Sequence, residues 1–416
     1  MGWTRAVPDV IFAAQSEPGG ATLAVSKKIR EAMEGGSWIR RMFEAGIALK
    51  QQYGEDKVFD LSLGNPVTEP PEEFRKELLR LAQEPVPGMH RYMPNAGYDE
   101  VRAAVADQLS METGISFSKN DIVMTCGAAG ALNVVLKTLL NPGDEVILFA
   151  PYFVEYGFYC DNHGGQLVTV PTRENFQLDL SRIEEALNPK TRAVLINSPN
   201  NPTGQVYPER DLLDLGKILD EKSREIGRRI YLISDEPYRD IVYDDVEVPS
   251  LFKVYPHSII TNSYSKNLSI PGERIGYVVV HPEAEEVEKL LGALNLANRI
   301  LGFVNAPALM QRLVKQIQGV CVDKGIYEAK RNLLCDGLKE AGYEFSVPAG
   351  AFYVFPKSPI PDDVEFVKLL QDELILAVPG SGFGGPGYFR LAYCVDDDTI
   401  KRSFDGFKRA LEKALK

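Results

Sequence analysis

AVLINSPNNPTGQVYPERDLLDLGKILDEKSREIGRRIYLISDEPYRD spans residues 193–240. Its apolar runs, 193–197 and 230–235, are short and nearly unbroken, and turn residues follow each one. Between them, 208–225 carries an amphipathic helical pattern. Short apolar runs of this kind predict strands buried on both faces. A strand, a helix and a second strand form the repeating unit of a parallel sheet. Working outward, the same alternation recurs: strands are expected over Ile122–Thr125, Glu145–Ala150, 166–170, Ser258–Ser263 and 275–280, with a helix over 129–140. The pattern predicts an α/β, doubly wound domain over 61–299 with a mostly parallel central sheet. A helical region over 283–341 follows, then shorter strands and a last helix over 397–415. This tail reads as α+β. The helix expected over 23–53, with Trp38, Ile39, Met42, Phe43 and Ile47 near helical spacing, joins it, since little else near the start can bury its apolar face. The expected division is a tail over 1–22, a small domain from 23–60 and 300–416, and the large domain between.

Composition removes several function classes. The chain has 416 residues, with 46 Lys plus Arg against 58 Asp plus Glu, a formal net charge of −12. That balance opposes binding to nucleic-acid phosphates and to an anionic membrane surface. The apolar run over 10–14 is short and flanked by Asp9 and Glu17, unlike a signal-peptide core. Ala6 stands where a myristoylation signal needs Ser or Thr. No apolar stretch approaches the ~18 residues of a membrane span. The five cysteines (Cys126, Cys160, Cys321, Cys335, Cys394) are odd in number and scattered, which predicts free thiols in a reducing cytoplasm. The four histidines (His90, His163, His257, His281) lack metal-ligand spacing, so no metal is expected.

Ligands of open α/β sheets sit beyond the carboxyl ends of the strands, so the residues that follow each strand carry the chemistry. After 122–125 come Cys126, Gly127, Ala128, Ala129 and Gly130, small residues opening a helix whose N–H groups suit an anion. After 145–150 come Pro151, Tyr152 and Phe153; either ring could cover a planar ligand. After 193–197 comes SPNNPTG, a rigid turn whose fixed amides aim hydrogen bonds. Asp235 ends its strand and, if buried, needs a partner such as a protonated ring nitrogen. Lys266 follows the strand ending at Ser263, where burial favours the neutral amine and suits a Schiff-base nucleophile. Ser263, Ser265 and Arg274 supply hydroxyl and guanidinium donors for a phosphate. Together these describe a planar ligand with a basic ring nitrogen, a phosphate and an aldehyde, which is pyridoxal 5′-phosphate.

Five ordered segments, NSPNNPTG (197–204), SDEPYRD (234–240), SYSKNLSIPGERIGY (263–277), PAGAFY (348–353) and the late Arg390, carry a resemblance to the class I/II aminotransferases of fold type I. The resemblance covers roughly 23–416. It implies an aspartate-aminotransferase-like fold and a homodimer with active sites shared at the subunit interface. It implies Lys266 as the Schiff-base lysine and Asp235 as the acid that keeps the pyridine nitrogen protonated. Asn201 and Tyr238 would bond the phenolic oxygen, and Phe153 would stack on the ring, with Tyr152 as the alternative. Cys126, Gly127, Ala128, Ala129, Ser263, Ser265 and Arg274 would hold the phosphate, and Tyr92 would reach the phosphate of the neighbouring subunit. Arg390 would grip the substrate α-carboxylate as a bidentate pair, with the Gly64 backbone beside it. GSGFGGPG (380–387) leads toward a strand rather than a helix, which argues against a dinucleotide loop and for a mobile loop before Arg390. Two departures are Pro271-Gly272-Glu273 where the family often has T-G-W, and LAYC after Arg390 where L-S-F-A is commoner.

The implied reaction is ping-pong transfer of an amino group between an L-amino acid and a 2-oxo acid, with glutamate and 2-oxoglutarate one pair. Arg299 falls near the place where one subgroup positions an arginine from the other subunit for a side-chain carboxylate, which would admit aspartate. A C–S lyase or other elimination enzyme of the same fold would use the same Lys266 and Asp235. A non-catalytic effector-sensing homologue would carry a DNA-binding domain ahead of the large domain. Only about sixty residues stand there, in an acidic chain.

Overall fold

The computed structural model describes residues 24–34 and 38–416. The expected tail over 1–22 lies outside the described residues, as do the side chains of Ile39 and Phe43. The chain forms two compact units. The larger comprises Asn65–Ala329 and Val347–Phe352; the smaller comprises the described residues up to Gly64, with Lys330–Ser346 and Tyr353–Lys416.

The larger unit is built on seven strands: β1 Ile122–Thr125, β2 Glu145–Ala150, β3 Gln166–Pro171, β4 Thr191–Asn197, β5 Tyr231–Asp235, β6 Ser258–Ser263 and β7 Gly276–Val280. Their order across the sheet is β1-β7-β6-β5-β4-β2-β3. β7 runs antiparallel to both neighbours, and the other pairings are parallel. The inner strands are largely apolar and buried because both faces are covered, whereas the edge strand Gln166–Pro171 is mostly exposed or half-buried. Side chains alternate between faces. Ile122, Met124, Val194, Ile196, Leu232 and Ile260 enter one core with helices Asp99–Thr113 and Glu209–Ile226. Val123, Leu195, Ile233, Ile259 and Val278 enter the other with helix Gly127–Leu139. Helix Glu209–Ile226 buries Leu212, Leu215 and Leu219, one stripe at helical spacing, and ends at Gly227 in the left-handed region (φ 71°).

Register sets the site. Thr125, Gly276 and Ser263 are partners across β1, β7 and β6. Thr261, Asp235 and Asn197 are partners across β6, β5 and β4. The strand order reverses beside β4, with β5 and β6 on one side and β2 and β3 on the other, which is where open α/β sheets take ligands.

The larger unit extends thirty residues beyond the expected boundary at 299. The helical region expected over 283–341 is three helices, Val287–Ile300, Ala308–Gln316 and Lys324–Ala341. The middle one sends Met310, Leu313 and Val314 into the same core as Val101 and Val105, so its apolar stripe binds it to the sheet. Residues 347–352 return to this unit because the N–H groups of Ala349 and Gly350 both donate to the Gly204 carbonyl at 2.9 Å. A Cβ on Gly350 would lie 2.7 Å from the Ile241 carbonyl oxygen, so only glycine fits that close approach.

The smaller unit is α+β. Val378–Pro379, Phe389–Ala392 and Tyr353–Val354 form an antiparallel sheet, and Phe59–Asp60 pairs in parallel with Ile375–Leu376. Strands from both chain ends thus share it. The rings of Phe366, Phe389 and Phe407 surround Tyr343 with centroids 5.8–6.1 Å away. The helix expected over 23–53 appears as Lys27–Glu34 and Trp38–Tyr53. The glycine-rich 380–387 segment is pinned, contrary to the mobile loop expected. Asp363 accepts from the N–H and hydroxyl of Ser381, both at 2.7 Å, and from the Gly387 N–H, and Phe383 is fully buried.

Leu313→Ala should destabilise the protein by about 2–4 kcal/mol through the cavity it leaves, read as a lower urea midpoint. A loss below about 1 kcal/mol would show that this helix is not part of the sheet's core.

Candidate active site

The carboxyl ends of β1 and β6 and the amino end of the antiparallel β7 converge on the N-terminus of helix Gly127–Leu139. Cys126 occupies the cap position and makes no side-chain cap bond. The first-turn N–H groups, including those of Ala128 and Ala129, have no partners within the helix and present the positive end of its dipole. Gly127 has φ 71°, and a Cβ there would lie 2.8 Å from Arg274 Nη2, so the guanidinium rests directly over the glycine. Arg274 Nη1 donates to the Pro271 carbonyl at 2.7 Å, which fixes the fork. A Cβ on Gly276 would fall 2.4 Å from the Asn262 carbonyl and 3.0 Å from the Gly127 backbone. Ser263 and Ser265 are buried beside this turn. Helix-start amides, a guanidinium, two hydroxyls and a cradle that tolerates only glycine fit a phosphate. The Cys126 thiol is pushed up by burial, against the nearby Arg274 charge.

Asp235 ends β5 fully buried. One carboxylate oxygen accepts from the Tyr156 hydroxyl at 2.8 Å and the other from the Thr261 hydroxyl at 3.1 Å. Burial raises its pKa from 3.8 to about 6; both hydroxyl bonds oppose the rise, and Glu236 adds to it. Asn197 donates to the Asp235 carbonyl at 2.8 Å and accepts from the Asn201 N–H at 2.7 Å. The SPNNPTG turn is thereby tied to the acid. Such an acid, held by two hydroxyls, fits a protonated ring nitrogen. Phe153 meets Tyr156 edge to face at 5.5 Å and 85°, whereas Tyr152 lines a small cavity with Asn197, Asn200 and Tyr207.

Lys266 is half-buried in the turn after β6. Its Nζ lies 5.8 Å from the Tyr238 ring centroid and 5.6 Å from that of Phe352. Those two rings meet edge to face at 5.4 Å and 90°. The PAGAFY segment therefore places Phe352 under the lysine.

In the smaller unit Arg390 is 1% exposed. Its Cζ lies 4.5 Å from the Tyr353 ring centroid and 4.7 Å from that of Phe383, and its Nη2 donates to the Ser62 carbonyl at 2.6 Å. A Cβ on Gly64 would fall 1.8 Å from the Tyr353 hydroxyl, so the Gly64 backbone lies against that phenol. A guanidinium clamped between two rings presents a fixed fork, the geometry that recognises a carboxylate.

Two expected residues are not brought to these groups within the chain. Tyr92 is 89% exposed, on the rim of a recess of about 560 Å³ that Phe303 and Asn305 also line. Arg299 is exposed in the last turn of helix Val287–Ile300. Tyr156, Thr261, Phe352, Tyr353, Phe383 and Gly276 are site residues that sequence reasoning did not single out. A signal existed for Gly276, inside the GERIGY segment, and for Phe352 and Tyr353, inside PAGAFY. None existed for the Tyr156 and Thr261 contacts, which depend on packing and strand register. Among the described residues no group of three or more His, Cys, Asp or Glu is placed to hold a metal, and no helix is long and apolar enough to cross a membrane.

The sequence pattern of the family described as aminotransferase class I and II matches residues 56–407. The aspartate/prephenate aminotransferase of Thermus thermophilus is 34% identical over 364 residues, covering 85% of this chain and 91% of that protein. The aspartate aminotransferase of Thermotoga maritima is 34% identical over 360 residues, covering 85% and 90%. The crystal structure of an amino transferase from Eubacterium rectale superposes with TM-score 0.92 at 40% identity, covering 95% of this chain and all of that one. An aspartate aminotransferase structure from Thermus thermophilus with maleate superposes with TM-score 0.84 at 28% identity, covering 94% and 100%. The chain belongs to the class I and II aminotransferases. It is a pyridoxal-phosphate-dependent aminotransferase of fold type I.

Two outcomes follow from the geometry. Gly127→Ala should raise the dissociation constant for pyridoxal 5′-phosphate about ten-fold or more, because a Cβ in the left-handed region crowds Arg274; unchanged affinity in an equilibrium titration would refute the cradle. Asp235 has a raised folded pKa, so its ionisation costs nothing below the unfolded value of 3.8, costs stability increasingly as pH rises from 3.8 to about 6, and costs the full amount above that. Without cofactor, Asp235→Asn should be more stable than wild type at pH 8, by up to about 3 kcal/mol, and equal to it near pH 4. Urea unfolding across this range checks it, and a difference independent of pH would contradict the assignment.

Proposed function

We propose that the enzyme moves the amino group of an L-amino acid to a 2-oxo acid in two half-reactions, with glutamate and 2-oxoglutarate one pair and aspartate a further donor. The observation that carries the reading is Arg390, buried between Tyr353 and Phe383 with its fork fixed by the Ser62 carbonyl. A guanidinium so deeply desolvated calls for a planar anion, and the α-carboxylate of an amino acid is one. The names of the relatives, aspartate aminotransferases, support aspartate.

Pyridoxal 5′-phosphate supplies an electron sink for the negative charge that develops at the substrate Cα. In this proposal Lys266 is the Schiff-base lysine and carries the proton from Cα. Asp235 holds the proton on the ring nitrogen, and the Tyr156 and Thr261 hydroxyls hold Asp235. Asn201 and Tyr238 hydrogen-bond the phenolic oxygen. Phe153 stacks on the ring, a choice over Tyr152 supported by its contact with the Tyr156 that orients the acid. Cys126, Gly127, Ala128, Ala129, Ser263, Ser265 and Arg274 bind the phosphate. Arg390 and the Gly64 backbone orient the substrate carboxylate. The exposure of Tyr92 and Arg299 supports a homodimer in which they serve the neighbouring subunit.

A donor panel with 2-oxoglutarate as acceptor tests the reading. Aspartate should yield oxaloacetate and glutamate without free ammonia. Pyruvate and ammonia from cysteine-type donors, with no amino transfer, would favour elimination instead. Arg299→Ala should raise KM for aspartate about 100-fold and spare alanine and aromatic donors, as loss of a charge-assisted pair requires. An equal effect on all donors would remove Arg299 from the side-chain site.

A further inference from the structure

The turn that carries Lys266 is held by three hydroxyls outside the groups named above. Ser269, three residues on, has φ 58°, a left-handed conformation costing a non-glycine residue on the order of 1 kcal/mol. Its N–H donates to the Lys266 carbonyl at 3.3 Å. Its hydroxyl donates to the Thr68 carbonyl at 2.6 Å. The Thr68 hydroxyl lies 3.0 Å from the Ser269 hydroxyl and 2.8 Å from that of Tyr327. Each hydroxyl has one proton, so the order is determined. Ser269 spends its proton on the Thr68 carbonyl and therefore accepts from Thr68. Thr68 spends its proton on Ser269 and therefore accepts from Tyr327.

The same chain reaches the far end of the lysine. The Tyr327 ring is fully buried and packs on Phe352 with centroids 4.7 Å apart. Phe352 abuts Tyr238 and faces Lys266 Nζ. One relay of hydroxyls thus fastens both the backbone of Lys266, through Ser269, and the aromatic floor under its amine, through Tyr327 and Phe352.

We propose that Thr68, Ser269 and Tyr327 are positioning residues for Lys266, a relay centred on the Thr68 hydroxyl that sets the direction from which the amine attacks. This rests on the reading of Lys266 as the Schiff-base lysine. Misplacing a nucleophile by about 1 Å costs on the order of 10²-fold in rate, so loosening the turn should show in covalent capture of the aldehyde, where the amine adds and water leaves, before it shows in binding.

The test uses full-length enzyme freed of cofactor, with Thr68→Val removing the hydroxyl at constant shape and Thr68→Ser restoring it. Two quantities are read: the rate of covalent capture of pyridoxal 5′-phosphate by visible absorbance, and the affinity for pyridoxine 5′-phosphate, which has the ring and phosphate but no aldehyde. Thr68→Val should slow capture about ten-fold and leave pyridoxine 5′-phosphate affinity within about two-fold; Thr68→Ser should recover most of the rate. Capture by Thr68→Val at the wild-type rate, or equal loss of capture and affinity, would overturn the proposal. Lys266→Ala separates it from the reading beneath: capture persisting in that variant would remove Lys266 itself from the role.

Discussion

The burial of Asp235 is the constraint to which the rest of the site answers. A carboxylate at the dry end of a parallel strand loses its hydration, and two hydroxyl bonds return only part of it, roughly 1.5–3 kcal/mol each for bonds to a charged group. The result is a pKa raised from 3.8 to about 6, so the ionised form is less favoured than for the same acid in water. A nearby cation would complete the balance, and in the proposed assignment the protonated ring nitrogen of pyridoxal 5′-phosphate is that cation. Tyr156 and Thr261 are there to aim the acid, since stabilising it outright would take more donors. Asn197, bridging the acid's carbonyl and the Asn201 N–H, passes the same constraint to the neighbouring turn.

The register of the sheet converts this local balance into a site. Thr261, Asp235 and Asn197 stand in line across three strands because buried strands cannot slip by one residue without turning their apolar faces outward. Two rows thus arise from one set of pairings, the acid row and, sharing β6 with it, the row of Ser263, Gly276 and Thr125 beside the proposed phosphate cradle. The large unit's architecture was legible in the sequence for the same reason. Short apolar runs separated by turn residues leave few alternatives to a parallel sheet, and the strands fell within a residue or two of expectation. The boundary near 299 was not legible. An amphipathic helix shows that it needs a partner but not which one, and the stripe of Met310, Leu313 and Val314 found the sheet's core.

The site divides along the same line. Lys266, Asp235, Asn201 and Arg274 could be singled out because each stands close to a strand end, Asp235 closing its strand, Asn201 and Lys266 shortly after theirs and Arg274 just before the next, so their placement is a matter of chain position. Tyr156 reaches the site by packing, and an aromatic on a helix looks alike whether it faces a core or an acid. Thr261 sits mid-strand, where its partner depends on the neighbouring strand's register. The glycine-rich 380–387 segment shows the converse error. Its composition suggested looseness, yet Asp363 and the buried Phe383 fasten it, and Phe383 is one wall of the Arg390 slot.

The net charge of −12 describes the chain as a whole, and the functional cations run against it. Arg390 is the extreme case. Removing a guanidinium from water costs several kcal/mol, and the Tyr353 and Phe383 faces and the Ser62 carbonyl are among the contacts that offset it. Lysine would lose both the ring stacking and the fork, so the slot selects arginine on two grounds. The slot also explains Gly64: the Tyr353 hydroxyl lies where any side chain at that position would have to go. The Ala392 N–H donates to the Leu61 carbonyl at 2.7 Å and Arg390 to that of Ser62, so the segment leading to Gly64 is stitched along the arginine's own strand. One strand therefore sets the cation, and the ring that clamps it dictates the glycine beside it.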